Sequence, residues 1–173
     1  MKKFTIRETD HSGIYIVKRQ GFFDNRGSLE KFYQKDIFDN LEFCVSDIYT
    51  TKSDKDVVRG MHHQRGEFGQ KKLITCLSGA FMDVVIDLRP NSKMYGKTYT
   101  KLLKETDNLS LLISSGFSHG TYSLTDNAVM LSVCSGAYLP EYEEGFNMKS
   151  LKLPFYETYA VVSEKDLMYP DFI

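Results

Sequence analysis

The stretch Val58–Gln64 places two adjacent histidines, His62 and His63, close to Arg59. A neutral imidazole can remove a proton from a carbon beside a carbonyl group if a carboxylate fixes its tautomer and a cation stabilises the enolate. Successive side chains of a strand point to opposite faces, so only one of the two histidines can face an enclosed interior unless Gly60 marks a bulge. One histidine is therefore predicted to act as a general base.

Further groups that such chemistry needs occur later in the chain, at Lys72, His119 and Asp166. A metal site of the cupin type is an alternative, because such sites combine paired histidines with a glutamate and a later histidine, here Glu67 and His119. Their histidine pair alternates, however, whereas His62 and His63 are adjacent and cannot both ligate from one face. The spacing favours a site without a metal.

The elements around this stretch are short strands separated by Gly, Asn and Asp turns, with almost no helical period. This pattern predicts an all-β fold, a barrel or a double-sheet jelly roll with short helical turns. Two hairpins are predicted, one pairing 72–77 with 80–89 and one pairing 121–124 with 129–134. Along 80–89 acidic residues recur on one face, which indicates a wet surface or a polar interior. The segment 114–120 is predicted to be a tight corner that carries His119.

Composition sets the broad class. The chain has 173 residues, enough for one domain over 1–173, and its net charge of −1 gives no indication of nucleic-acid or membrane binding. Three widely spaced cysteines argue against a disulfide framework and for a reducing compartment. The start of the chain, with Lys2 and Lys3, lacks the apolar segment of a signal peptide. A cytoplasmic protein is expected.

Several motifs occur in a fixed order over roughly residues 20–168. They are Asp24-Asn25-Arg26-Gly27, Val58-Arg59-Gly60-Met61-His62-His63-Gln64, Gln70-Lys71-Lys72-Leu73-Ile74, Asp83-Val84-Val85-Ile86-Asp87-Leu88-Arg89, Gly116-Phe117-Ser118-His119-Gly120, Tyr138-x-Pro-x-x-Glu and Ser163-Glu164-Lys165-Asp166. In this order they resemble the dTDP-4-dehydrorhamnose 3,5-epimerase family, whose members are cupin-like jelly-roll dimers. One such motif is weak, but this ordered set is specific.

The resemblance implies catalytic roles for three residues. His62 corresponds to the base, Asp166 to the carboxylate that pairs with it, and Lys72 to the cation that stabilises the enolate oxygen at carbon 4. His63 takes a position that is usually aromatic in the family and is expected to be structural.

The resemblance also implies residues that bind the substrate, a nucleotide sugar. Arg59 is expected near the pyrophosphate and Arg26 is expected to reach the site of a partner subunit, which would make a homodimer functional. The remaining expected contacts are Gln64, His119, Tyr138 and Ser132.

Ser132 marks a departure from the family. The family's opposite-face acid is a tyrosine six residues before the Tyr-x-Pro tyrosine, and counting back from Tyr138 reaches Ser132. An unperturbed serine hydroxyl is a poorer proton donor than a phenol of pKa ~10. Tyr138, Cys134 or water are the alternatives for the missing acid. The segment 46–49 also lacks the family's usual Gln-x-Asn.

The sequence therefore predicts a cofactor-independent epimerase of a dTDP-, CDP- or GDP-linked 4-keto-deoxy sugar, acting at carbon 3, carbon 5 or both. Such an enzyme serves deoxysugar biosynthesis, for example for cell-surface polysaccharide. The alternatives are a related 4-keto sugar isomerase, a metal-dependent cupin and a catalytically silent sugar-nucleotide-binding homologue.

Overall fold

The computed structural model describes residues 4–173. The prediction about the start of the chain rests partly on Lys2 and Lys3, which lie outside the described residues. The strands are β1 (Thr5–Glu8), β2 (Ile14–Lys18), β3 (Gln20–Asp24), β4 (Gly27–Lys31), β5 (Val45–Ser53), β6 (Val58–Gln64), β7 (Lys71–Ser78), β8 (Ala80–Asp87), β9 (Thr98–Lys104), β10 (Leu109–Ile113), β11 (Phe117–Ser123), β12 (Ala128–Ser135) and β13 (Glu143–Gly145).

Helical structure is confined to short segments. The two α-helices are α1 (Lys35–Phe38) and α2 (Glu164–Leu167). Single turns of 3₁₀ helix lie at Asp39–Leu41, Gly66–Phe68, Glu105–Asp107, Pro140–Tyr142 and Met148–Leu151. None of the helices within residues 4–173 is long and apolar enough to cross a membrane.

Two antiparallel sheets face each other. The larger has the order β1-β2-β10-β7-β12-β5 and the smaller the order β13-β6-β11-β8-β9, while β3 and β4 form a separate two-stranded ribbon. Strands that are adjacent in sequence mostly lie in opposite sheets, as in a jelly roll. The prediction of an all-β, cupin-like jelly roll with short helical turns is confirmed.

Both predicted hairpins are wrong. β7 lies in the larger sheet and β8 in the smaller, so the Ser78–Gly79 turn carries the chain across the interior. In the same way β11 and β12 belong to different sheets on either side of 124–127. Both segments are turns, as their residue types predict, but turn chemistry does not specify which strand completes the backbone hydrogen bonds.

The interior between the sheets is apolar at one end. Ile74 and Met130 of the larger sheet pack there against Phe81 and Val85 of the smaller. The outer face of the smaller sheet is covered by the C-terminal segment 146–172, through residues such as Met148. The outer face of the larger sheet packs against the α1 region.

The alternation predicted along 80–89 explains how β8 contacts both the interior between the sheets and the C-terminal segment outside them. Val84 and Ile86 pack outward under the C-terminal segment, whereas Val85 points into the interior. Asp83 is fully buried, so its position corresponds to the polar interior rather than to a wet surface. His119 also differs from expectation, because it lies inside β11 and not in a corner.

Candidate active site

The other end of the interior is open and polar. Two neighbouring cavities of about 280 Å³ and 290 Å³ lie there between the sheets. Tyr49, His62 and Lys72 are the only described residues that line both cavities, so they mark the junction between them. Taken together the cavities reach the size range of small-molecule sites, about 300–1,000 Å³.

A bulge in β6 determines what this strand presents to the cavity. His62 pairs with His119 and Arg59 with Thr121, so three steps on β6 match two on β11. Between these two pairs β6 has two residues, Gly60 and Met61, where β11 has one, and the φ of Gly60 is +94°. As a result, Arg59 and His62 both line the second cavity, although they are three positions apart and would face opposite ways in a regular strand.

We expect Gly60→Ala to lower the free energy of unfolding by more than the cost of a positive φ alone, about 1–2 kcal/mol. A Cβ at position 60 would lie 2.6 Å from the carbonyl oxygen of His119, which is main chain and cannot easily move. Gly66→Ala is the matched control, since Gly66 has φ +62° and open space around it. Urea denaturation compares the two, and equal losses would contradict this account.

His62 and Asp166 form an imidazole–carboxylate pair. His62 Nε2 lies 2.7 Å from Asp166 Oδ1, and the Gly60 N–H donates to Asp166 Oδ2 at 3.0 Å. Ser163 caps α2 by accepting from the Asp166 N–H. Although burial opposes it, the hydrogen bonds from His62 and Gly60 lower the pKa of Asp166. The carboxylate is thus held ionised against one ring nitrogen.

His63 has a different environment from His62. Its ring stacks on Phe146 with centroids 5.6 Å apart, and its Nε2 lies 3.7 Å from Glu144. Burial lowers the pKa of His63. It lines the first cavity but not the second, and Glu144, the carboxylate near its ring, is about half exposed.

Lys72 enters the junction from β7 of the larger sheet, opposite His62. Burial lowers the pKa of its ammonium group. Its register partner on β12 is Cys134, whose thiol lines the first cavity. Burial raises the pKa of that thiol.

His119 lies beside His62 on the neighbouring strand and lines the second cavity. Its Nε2 is 2.9 Å from Asp83 Oδ2. Burial raises the pKa of Asp83 against the opposing influence of His119. This second imidazole–carboxylate pair is more deeply buried than the first.

Tyr138 and Gln64 contribute to one rim of the first cavity. The Tyr138 hydroxyl donates to Glu143 at 2.9 Å, and that hydrogen bond raises the pKa of Tyr138. Glu143 also accepts from Lys165 and from Tyr169. The Gln64 amide bonds three main-chain groups, so it holds this rim in position: it donates to Phe68 and Ala137 carbonyls and accepts from the Leu139 N–H.

The two arginines lie in different places. Arg59 lines the second cavity and is exposed, with its guanidinium donating to the Ser53 hydroxyl and the Lys52 carbonyl. Arg26 lies at the tip of the β3–β4 ribbon, ion-paired with Asp24, and lines only a groove on that ribbon. Within one chain, Arg26 is not brought to the His62 cavity.

Ser132 lies in the second cavity and its buried hydroxyl has no hydrogen-bond partner among the described residues. Its direct partner on β5 is Tyr49. Sequence reasoning did not select Tyr49, although alternation along a strand puts it on the same face as Asp47. Within residues 4–173, no three His, Cys, Asp or Glu side chains are arranged to hold a metal ion.

Fold and cavity together define a double-sheet jelly roll with a histidine–aspartate pair and a partly buried lysine inside it, the groups that acid–base catalysis requires. The family model described as dTDP-4-dehydrorhamnose 3,5-epimerase matches residues 8–173. The chain is 34% identical to the dTDP-4-dehydrorhamnose 3,5-epimerase of Escherichia coli strain K12, over 91% of this chain and 89% of that protein.

Solved structures agree with this match. The crystal structure of dTDP-4-dehydrorhamnose 3,5-epimerase from Elizabethkingia anophelis is 31% identical with a TM-score of 0.89, covering 98% of this chain and 96% of the other. The Legionella pneumophila dTDP-6-deoxy-D-glucose-3,5-epimerase, in complex with dTDP-4-keto-L-rhamnose, is 25% identical with a TM-score of 0.90, covering 98% and 93%. The chain belongs to the dTDP-4-dehydrorhamnose 3,5-epimerase family, which confirms the resemblance and the assignment to the isomerases.

Proposed function

We propose that this protein is a cofactor-independent epimerase of a nucleotide-linked 4-keto-deoxy sugar. The observation that carries the proposal is the 2.7 Å contact between His62 Nε2 and Asp166 Oδ1 at a cavity shared with Lys72, in a chain of this family. A ketone at carbon 4 acidifies the protons on carbons 3 and 5, so neither redox chemistry nor a cofactor is needed.

His62 is the proposed base. With Asp166 ionised, the Nε2–H tautomer is favoured, and that tautomer leaves the lone pair of Nδ1 for the substrate C–H. A positioned base of this kind contributes about 10²–10⁴-fold to a proton transfer. The proposed role of Asp166 is to fix the ring and to stabilise the imidazolium that forms.

Lys72 is the proposed partner of the enolate oxygen. Negative charge moves from the C–H bond to the carbon-4 oxygen as the proton leaves, and a cation fixed in a poorly hydrated site stabilises that charge more strongly than it would in water. Lys72 is partly buried in the cavity wall, and this burial lowers the pKa of its ammonium group. His119, beside His62, is proposed to contact the sugar.

Arg59 is proposed to bind the diphosphate, because its exposed guanidinium lies at the second cavity and arginine pairs well with phosphate oxygens. Tyr138, on the rim of the first cavity, is proposed to pack on the sugar or the base. The Legionella pneumophila relative is in complex with a dTDP-linked 4-keto sugar, which favours dTDP over CDP and GDP here.

A homodimer is proposed to complete the site with Arg26. The β3–β4 ribbon that carries Arg26 exposes apolar side chains, Phe23 at 67% and Leu29 at 58%, which suits burial against a second copy of the chain. Its salt bridge with Asp24 is on the surface and therefore weak enough to exchange for a phosphate. A cytoplasmic role in deoxysugar biosynthesis, for example for surface polysaccharide, is part of the proposal.

The proposal is tested by incubating the protein in D₂O with dTDP-, CDP- and GDP-linked 4-keto-6-deoxy sugars and counting incorporated deuterons by mass spectrometry. We expect incorporation with at least one nucleotide. One deuteron indicates epimerisation at a single carbon and two indicate epimerisation at both. If the sugar nucleotide binds but no deuteron enters with any of the three, the protein is a binding homologue and the proposal is wrong.

A further inference from the structure

Inversion at a carbon needs two proton-transfer groups on opposite sides of the sugar. His62 approaches from β6 of the smaller sheet, so the group that returns the proton must come from the opposing wall. That wall is built by the inward faces of β5, β7 and β12 of the larger sheet.

The side chains on this wall differ in their ability to donate a proton. Ser132 carries an alkyl hydroxyl, which is a very weak acid, and Asp47 is an acceptor when ionised. Lys72 is required at the enolate oxygen. Cys134 lines only the first cavity, beside Lys72. Tyr49 is left as the phenol that reaches the junction.

The register of the sheet places Tyr49 directly beside Ser132, the position on β12 that lacks a phenol. Alternation along β5 turns Asp47 and Tyr49 to the face that lines the cavity, and Ile48 to the other face. Tyr49 lies at the open side of the cavity and is 41% exposed, against 61% for Ile48. Burial raises the pKa of Tyr49 to about 12. The phenol is therefore protonated at neutral pH, as a donor must be, and it is a weaker acid than a free phenol of pKa ~10.

We propose that Tyr49 is the general acid that protonates the enolate carbon on the face opposite His62. This assignment rests on the proposed epimerase function. His62 Nδ1 takes the proton, and the C–H electron pair becomes the C=C bond of an enolate whose oxygen is held by Lys72. The C=C pair then takes the proton of the Tyr49 hydroxyl and leaves a phenolate. The imidazolium releases its proton to water and the phenolate takes one from water, which restores both groups.

The test uses Tyr49→Phe, which removes only the hydroxyl, in D₂O with the sugar nucleotide that the parent protein accepts. We expect formation of the inverted sugar to fall by about 10²–10⁴-fold. Deuterium still enters the substrate, because the deuterated His62 imidazolium can return its deuteron to the face it came from. NMR measures inversion and mass spectrometry measures exchange on the same samples. Tyr95→Phe, in the exposed loop between β8 and β9, is the matched control.

Persisting exchange together with lost inversion supports Tyr49 as the acid, since a merely structural role would lower both. Inversion at the parental rate, or equal loss of exchange and inversion, overturns the assignment. The assignment is also wrong if Tyr138→Phe or Cys134→Ala loses inversion alone while Tyr49→Phe is unaffected. The general acid is then the residue changed in that variant. If the parent protein shows no exchange, the proposed function fails, and the role of Tyr49 fails with it.

Discussion

His62→Ala is expected to reduce deuterium incorporation by about 10²–10⁴-fold, the contribution of a positioned general base. The imidazole has both a fixed tautomer, through the 2.7 Å contact with Asp166, and a position at the junction of the two cavities. No other described side chain combines these properties, because His119 bonds Asp83 deeper inside. The rate of exchange in D₂O, measured by mass spectrometry, gives the size of the loss.

His63→Ala is the matched control for this variant. It removes the same side chain one residue further along, and it is expected to keep most of the exchange because His63 packs on Phe146 and lies away from Asp166. Some stability will be lost with the stacking contact, so exchange is measured at a temperature where both variants remain folded. Equal loss of exchange in the two variants would contradict the assignment of the base.

Asp166→Asn is expected to have the second largest effect, also about 10²–10⁴-fold in exchange. Two donors converge on Asp166, from His62 and from the Gly60 amide, and an asparagine offers only one oxygen to accept them. Either the imidazole loses its fixed tautomer or the Gly60 N–H loses its partner. An unpaired buried donor costs about 1–3 kcal/mol, so stability should fall as well.

Glu164→Gln is the control for Asp166→Asn, since it makes the same chemical change at an exposed position of α2. The stability difference between parent and Asp166→Asn should depend on pH. The folded-state pKa of Asp166 is lowered, so its stabilising effect is present above the unfolded value near 3.8 and is lost as the pH falls through the lower folded value. Exchange at the parental rate in Asp166→Asn would show that the carboxylate does not act through His62.

Local patterns in the sequence were sufficient for the fold class and for separating the two histidines. Alternation along a strand is a property of the backbone itself, and it assigns His62 and His63 to different surroundings whatever the sheet order. β6 has a bulge next to Gly60, and a Cβ at this glycine would clash with the main chain of His119.

Local patterns do not predict which distant strands pair with each other. Ser78–Gly79 and 124–127 are turns by their residue types, yet the following strand crosses to the opposite sheet in both cases. The choice between a hairpin and a crossover depends on which apolar faces are buried together, and that is a property of the whole chain. The same limit kept Tyr49 out of the predicted site, because its relation to Ser132 exists only through the register of β5 and β12.

What the sequence determined by itself was the all-β class and the family, since residue types, strand periods and ordered motifs are local properties. The sequence also predicts the kind of chemistry, a histidine base with a lysine and an aspartate. Only the tertiary structure brought His62 to Asp166 across 104 residues and Tyr49 to the opposite wall. It also left Arg26 outside the cavity of its own chain. Distances between groups far apart in sequence are decided by how the two sheets pack, so the direction of each proton transfer could be argued only from the fold.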